Sequence, residues 1–255
     1  IACKEDDTRL KTFADNQFYG RFLELPADVV GYNRYFGWYK DAGSAENFGE
    51  WLDLYHNEKE KRPVCLSEYG GGGAISQHKD NVNWESDIDP VGVRHYENYQ
   101  LHEILWKQFS VRKYLWAEFI WCMFDFASYG RTEGDTKSQN DKGLCTRERI
   151  PKDVYFFYKS VWSGEKTVYI TERRHEFRAC DVPFVKVYSN ADAVELCIND
   201  VSHGRISRCE LPDDESTVFV WENIKIKPGM KNKICAKAYF SDGTSRTDYA
   251  FWTGK

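Results

Sequence analysis

The chain has 255 residues, of which 42% are hydrophobic and 29% charged, and a formal net charge of −5. This length admits one large domain or two ordinary ones, and the composition is that of a folded chain, not a disordered one. The mild acidity, with no clustered basic run, excludes a nucleic-acid footprint, and no apolar stretch approaches the ~20 residues of a membrane span.

Arg9 to Ala14 reads as a short strand, and Val29 to Tyr35 as a second, entered from a Pro26-Ala27-Asp28 turn. Residues 45 to 60 form a helix, because Phe48, Trp51, Leu52 and Tyr55 follow the i, i+3, i+4, i+7 spacing of one buried face. Pro63 to Ser67 is almost wholly apolar, as expected of a strand covered on both faces. Residues 94 to 109 form a further amphipathic helix, and Tyr114 to Phe126 an aromatic, buried strand. Residues 152 to 162 form a last helix, with Val154, Phe157, Tyr158 and Val161 on one face. Such alternation predicts an α/β architecture with a parallel sheet or a (β/α) barrel.

Near residue 165 the helical periodicity stops. Val185 to Ser189, Ala193 to Asn199, Thr217 to Ile226, Lys233 to Phe240 and Asp248 to Trp252 read as strands. Alternation is clear at Val194, Leu196 and Ile198, and again at Ile234, Ala236 and Ala238. Turn signals separate them at Asn199-Asp200, Pro212-Asp213-Asp214, Pro228-Gly229 and Asp242-Gly243. Several short strands in one run predict an all-β sandwich of immunoglobulin type. The chain therefore divides into residues 1–165 and 166–255.

Side-chain chemistry narrows the function. The 16 Phe, 16 Tyr and 9 Trp suit the stacking of sugar rings, although large cores also use aromatics. The eight cysteines form no Cys-x-x-Cys pair, and Cys65, Cys122, Cys197 and Cys235 read as buried thiols. The six histidines form no ligand pair, so neither a metal nor a cofactor is expected. The sharpest local feature is Ser67-Glu68-Tyr69-Gly70, followed by Gly71, Gly72 and Gly73. A carboxylate here directly follows a buried strand, where barrel enzymes place catalytic groups. Glycines after it leave room for a ligand. Gly31-Tyr32-Asn33-Arg34-Tyr35-Phe36-Gly37-Trp38-Tyr39 closes a second strand, and Trp121-Cys122-Met123-Phe124-Asp125-Phe126 a third. Asn140-Asp141-Lys142-Gly143-Leu144 comes later. Amide, carboxylate and aromatic groups thus collect on one rim, as a sugar site requires.

The order N-x-Y-x-G-W-Y, S-E-Y-G, W-x-x-x-D-F and N-x-K-G-L resembles family-2 glycoside hydrolases, which include β-galactosidases, β-glucuronidases and β-mannosidases. The resemblance runs from about Asp7 to Trp162, and the segment Val185 to Asn199 is similar to the sandwich that follows the barrel in many bacterial members. It implies the C-terminal half of a (β/α)8 TIM barrel followed by an immunoglobulin-like β-sandwich. It makes Glu68 the catalytic nucleophile, Tyr35 its hydrogen-bond donor, Asn33 a neighbouring amide and Trp121 a sugar-facing ring. Asn140 and Lys142 match a rim pair that contacts the substrate carboxylate in β-glucuronidases, but galactosidase-like members carry it too. Asp125 and Trp38 take structural roles. The implied activity is retaining hydrolysis of terminal β-linked sugars, galactosidase-like first and glucuronidase as the alternative. A non-catalytic carbohydrate-binding module is the reading from another class.

One departure stands out. The family's acid/base glutamate lies in an Asn-Glu pair well upstream of the nucleophile, and the Asn57-Glu58 pair sits in a helix instead. The expectation is that barrel strands one to four are missing and that the fragment alone is inactive. A half barrel would self-associate or pair with the absent N-terminal part. Carbohydrate is the expected ligand, without nucleic acid or membrane partners, and the bacterial periplasm or exterior is favoured over the cytoplasm.

Overall fold

The computed structural model describes residues 1–16, 26–80, 82, 96–97, 101–212 and 216–255. The chain forms two compact units, one from Ile1–Gly72, Trp84–Arg94 and Gln100–Met123, the other from Gly73–Asn83, His95–Tyr99 and Phe124–Lys255. Residues 124–165 thus pack with the sandwich, so the units of packing are not the two sequence segments 1–165 and 166–255.

The first unit holds a sheet of four parallel strands in the order β1-β2-β3-β4: β1 (Ala14–Asp15), β2 (Val30–Asn33), β3 (Val64–Tyr69) and β4 (Leu115–Ile120). This is half of the eight strands that a closed barrel needs. Val64, Cys65 and Leu66 are buried, in keeping with the apolar run that predicts β3. The helices are α1 (Ala2–Glu5), α2 (Phe48–Leu54) and α3 (Leu101–Ser110). On α2, Phe48 stacks on Phe36 at 4.4 Å between centroids and meets Phe109 of α3 edge-on at 5.1 Å. Burying each such ring contributes about 1.5–3 kcal/mol.

Three elements differ from expectation here. The helix over 45–60 is divided into a 3-10 turn (Ala45–Asn47), α2 and a π-helical turn (Tyr55–Lys59). The π-helical turn closes with the Glu60 amide on the Tyr55 carbonyl, and the buried Glu60 carboxylate accepts from Tyr32 Oη at 3.0 Å. The first strand is only a two-residue ladder, preceded by Lys11 and Phe13 carbonyls that accept from Val29 and Gly31 amides. The aromatic strand over 114–126 ends at Ile120, because its partner β3 ends at Tyr69, and the Trp121–Cys122 peptide that follows is cis. The early part of the helix expected over 94–109 lies largely outside the described residues, as does most of the Pro212-Asp213-Asp214 turn.

In the second unit, β5 (Phe126–Ala127) pairs with β6 (Gln139–Asn140), and α4 (Asp153–Trp162) packs on the sandwich. Phe156 of α4 stacks on Tyr169 at 3.7 Å, and Phe157 meets Tyr188 at 5.4 Å. The sandwich strands are β7 (Val168–Ile170), β8 (Phe177–Arg178), β9 (Asp181–Ser189), β10 (Ala193–Ile198), β11 (Val201–Ser207), β12 (Val218–Lys225), β13 (Lys231–Tyr239) and β14 (Ser245–Gly254). One sheet has the order β11-β10-β13-β14-β8 and the other β12-β9-β7. The chain changes sheet between β9 and β10, β11 and β12, and β12 and β13, a Greek-key pattern of the immunoglobulin kind. The alternating side chains Val194, Leu196, Ile198, Ile234, Ala236 and Ala238 face Val185, Val187, Phe219 and Trp221 in one core. No helix among the described residues is long and apolar enough to cross a membrane.

Candidate active site

Parallel strands end on one edge of their sheet, and the first unit gathers its polar side chains there. Asn16 follows β1, Asn33 closes β2, Glu68 lies one residue before the end of β3, and Trp121 follows β4. Asn33 and Glu68 are register partners, and the Arg34 amide donates to the Glu68 carbonyl at 2.9 Å. Tyr35 Oη donates to Glu68 Oε2 at 2.5 Å, the shortness expected of a hydroxyl bonded to a carboxylate. Burial, then the bond to Glu68, raises the Tyr35 pKa well above the usual phenol range, so the hydroxyl keeps its proton for donation. Ser67 Oγ donates to Asn33 Oδ1 at 2.7 Å, which leaves the Asn33 amide nitrogen as the end available for donation. Beneath them, the fully buried Arg34 donates to the carbonyls of Asp15 and Asn33, at 2.8 Å each, and ties the ends of β1 and β2 together.

A cavity of about 730 Å³ opens over this group, lined by Asn16, Asn33, Tyr35, Tyr39, Asp41, Ala42 and Glu68. Glu68 is half-buried and faces that space. Tyr39 packs edge-on to Tyr35 at 5.5 Å and braces the donor. Such a site offers a carboxylate held by a neutral tyrosine, and an amide, to a ligand of sugar size.

The glycine loop works differently from expectation. A Cβ on Gly70 would lie 2.5 Å from His102 Cε1, and one on Gly71 would lie 2.6 Å from Leu101 Cδ2 and 2.7 Å from Trp38 Cε3. Gly70 also has φ +121°, a backbone conformation that side chains disfavour. Room at these two glycines is therefore filled by the protein's own side chains, His102, Leu101 and Trp38. Trp38 is buried at 1% exposure, as its structural role requires.

Of the expected site residues, Asn33, Tyr35 and Glu68 are brought together around one cavity. Trp121 hangs on the neighbouring strand end: its amide donates to the Tyr69 carbonyl at 3.0 Å, and its side chain is 37% exposed. It is not among the lining residues. Asn16, Tyr39 and Asp41 were missed. Asn16 follows the first strand, as Asn33 closes the second, and Tyr39 ends the N-x-Y-x-G-W-Y motif, so strand-end reasoning could have found both. Asp41 carries no signal beyond lying two residues further on.

Asn140 and Lys142 belong to the second unit, in a cluster of their own. Both are buried, and the Lys142 amide donates to Asn140 Oδ1 at 3.0 Å. Buried Lys152 holds the turn from below: its Nζ donates to Asp125 Oδ1 at 2.8 Å and to the Asp141 carbonyl at 2.9 Å. The Gly143 amide donates to the same Asp125 oxygen at 2.9 Å. Burial pushes the Asp125 pKa up to about 6 even though Lys152 opposes the shift. A Cβ on Gly143 would lie 2.2 Å from the Asp125 nitrogen and 2.3 Å from the Cys145 carbonyl, so only glycine fits. In the same unit Asp80, Glu172 and His175 converge within metal-ligand reach, with Asp80 far in sequence from the closely spaced Glu172 and His175. Arg178 already stands among them, 2.7 Å from Asp80 and 2.5 Å from Glu172, and supplies the balancing charge.

With the strand-end carboxylate, its tyrosine donor and the half barrel in place, the chain belongs to glycosyl hydrolases family 2: residues 1–167 match the family described as "Glycosyl hydrolases family 2, TIM barrel domain". Residues 182–246 match a domain of unknown function, DUF4982. A β-glucuronidase of Bacteroides fragilis is 35% identical over 233 residues, covering 90% of this chain and 32% of the relative. A solved FMN-binding β-glucuronidase from Facaelibacterium prausnitzii L2-6 has a TM-score of 0.82 at 34% identity, covering 99% of this chain and 36% of that one. A Bacteroides fragilis structure assigned provisionally as a β-galactosidase has a TM-score of 0.86 at 28% identity, covering 100% of this chain and 37% of that one. The chain spans about a third of the length of these relatives.

Proposed function

We propose that this chain supplies the nucleophile side of a retaining β-glycosidase acting on β-glucuronides, with Glu68 attacking the anomeric carbon. The observation that carries the reading is the 2.5 Å bond from Tyr35 to a Glu68 carboxylate that fronts the cavity. A retaining enzyme needs two carboxyls about 5–5.5 Å apart, one to attack and one to protonate the leaving oxygen. In the attack, Glu68 forms a glycosyl ester as the C–O bond to the leaving group breaks, and the acid partner gives that oxygen its proton. Water activated by the same partner then releases the sugar. Tyr35 and Asn33 hold the nucleophile and the sugar hydroxyls in line for attack.

Glucuronide is preferred to galactoside on likeness of sequence. The β-glucuronidase of Bacteroides fragilis shares more sequence with this chain than the β-galactosidase-like structure does. Turnover of nitrophenyl β-glucuronide and β-galactoside by the whole protein tests the choice. Glucuronide is expected to win, and a galactoside preference would reverse it.

The acid partner lies outside this chain in our reading, since Glu58 is exposed on the π-helical turn. The chain alone is then expected to leave nitrophenyl glycosides intact, and turnover abolished by Glu68→Gln would refute that. The outer edges of the sheet at β1 and β4, which pair with no further strand among the described residues, are proposed to take up the rest of the barrel or a second copy. As a division of the sequence, 1–165 and 166–255 remains our proposed boundary.

A further inference from the structure

We propose that the outer face of the five-stranded sheet binds an anionic polysaccharide built from uronic acid units. This goes beyond the chemistry at Glu68 and does not depend on it. Strict alternation along β13 and β14 sends Ile234, Ala236, Ala250 and Trp252 inward and leaves charged and aromatic side chains outside. Phe177, Tyr249 and Phe251 are 56%, 48% and 44% exposed. Phe177 stands opposite Thr253, and Phe251 and Tyr249 follow at alternate positions on the same side. The three rings therefore form a row roughly 14 Å long by strand rise. Solitary exposed rings are ordinary, but a row of them marks a contact surface.

Each ring has a cation beside it. Lys255 lies 5.3 Å from the Phe177 centroid, Lys231 4.8 Å from Phe251 and Lys233 5.4 Å from Tyr249. Next along the face, Arg205 and Lys237 lie 4.1 and 5.1 Å from Tyr239. Among the described residues, the carboxylates of strands β10 and β11 and their turn on this face are Glu195 and Asp200. Asp200 is taken by Lys233 at 2.9 Å, and Glu195 accepts from Ser202 and Tyr239 at 2.8 and 2.9 Å. Five cations against two carboxylates make a basic face on a chain of net charge −5.

Exposed cation–π contacts are weak, so ring and ammonium can separate at little cost to admit a ligand. A uronic acid unit answers both partners at once, with its C–H face on a ring and its carboxylate on a lysine. Charge complementarity of this kind favours an anionic chain over a neutral one and weakens with salt.

The test is retardation of the 255-residue chain in gels containing polygalacturonate, neutral galactan or single-stranded DNA. We expect retardation by polygalacturonate alone, diminishing as salt rises. F251A/Y249A and K231A/K237A should each weaken the apparent affinity about tenfold or more, with cooperative melting retained because all four side chains are exposed or at the surface of their sheet. Glu68→Gln should be retarded like the parent, so this result and the catalytic one stand or fall separately. No retardation by polygalacturonate, equal retardation by DNA, an unchanged F251A/Y249A variant, or loss of retardation in Glu68→Gln would each overturn the proposal.

Discussion

Glu68 lies next to the end of β3 and Asp125 next to the start of β5, and their surroundings diverge. Glu68 is half-buried, takes one hydroxyl bond from Tyr35 and faces a cavity. Asp125 is buried, and one of its oxygens receives both the Lys152 ammonium and the Gly143 amide. The first carboxylate is held yet accessible, which suits a group that must attack. The second is spent on holding the Asn140–Lys142 turn. Proximity to a strand end therefore does not distinguish a reacting group from a positioning one; accessibility and partners do.

The comparison can be broken at either carboxylate. Glu68→Gln in the whole protein should lower kcat by about 10⁴-fold or more, as removal of a nucleophile does. Its melting temperature should barely move. Asp125→Ala should behave in the opposite sense, losing about 3–5 kcal/mol of stability by chemical denaturation because it strands the Lys152 charge in the interior. A variant Asp125→Ala that melts like the parent would remove the structural half of the contrast.

Smaller effects sharpen it. Tyr35→Phe should cost roughly 10–100-fold in kcat/KM, the worth of one hydrogen bond to a charged group. An unchanged kcat/KM would detach Tyr35 from Glu68. The mildest expected change concerns Glu97, whose pKa burial raises to about 8, while burial lowers that of His78 to about 4. Between pH 4.5 and 6.5 the two act in opposite senses, because folding binds a proton at Glu97 and releases one from His78. From pH 6.5 to 8 His78 drops out while Glu97 remains, and at that carboxyl the folded state holds more protons than the unfolded one. Stability should therefore fall with rising pH in that window, and Glu97→Gln should flatten the fall.

Much of this was legible in the sequence because periodicity and burial coincide. Val194, Leu196 and Ile198 alternate and are buried, and Phe48, Leu52 and Tyr55 recur at helical spacing and are buried. Strand β11 was invisible because Val201 to Arg205 are all exposed and carry no alternation. Strand ends alone indicated a polar and aromatic rim, and the pairing of Asn33 and Tyr35 with Glu68 came from the resemblance to family-2 glycoside hydrolases. Lys152 was not foreseen, since a lysine at a helix start reads as a solvated charge until its burial beside Asp125 is seen. The packing of residues 124–165 with the sandwich was also hidden, because it depends on contacts such as Phe156 with Tyr169 that no local pattern encodes.

The most direct test of Glu68 as nucleophile is covalent trapping. The whole protein would be treated with a 2-deoxy-2-fluoro glucuronide bearing a good leaving group, digested and mapped by mass spectrometry. Our account predicts one glycosyl adduct, on the peptide containing Glu68, at its carboxylate. An adduct on any other carboxylate, with Glu68 unmodified, would contradict it.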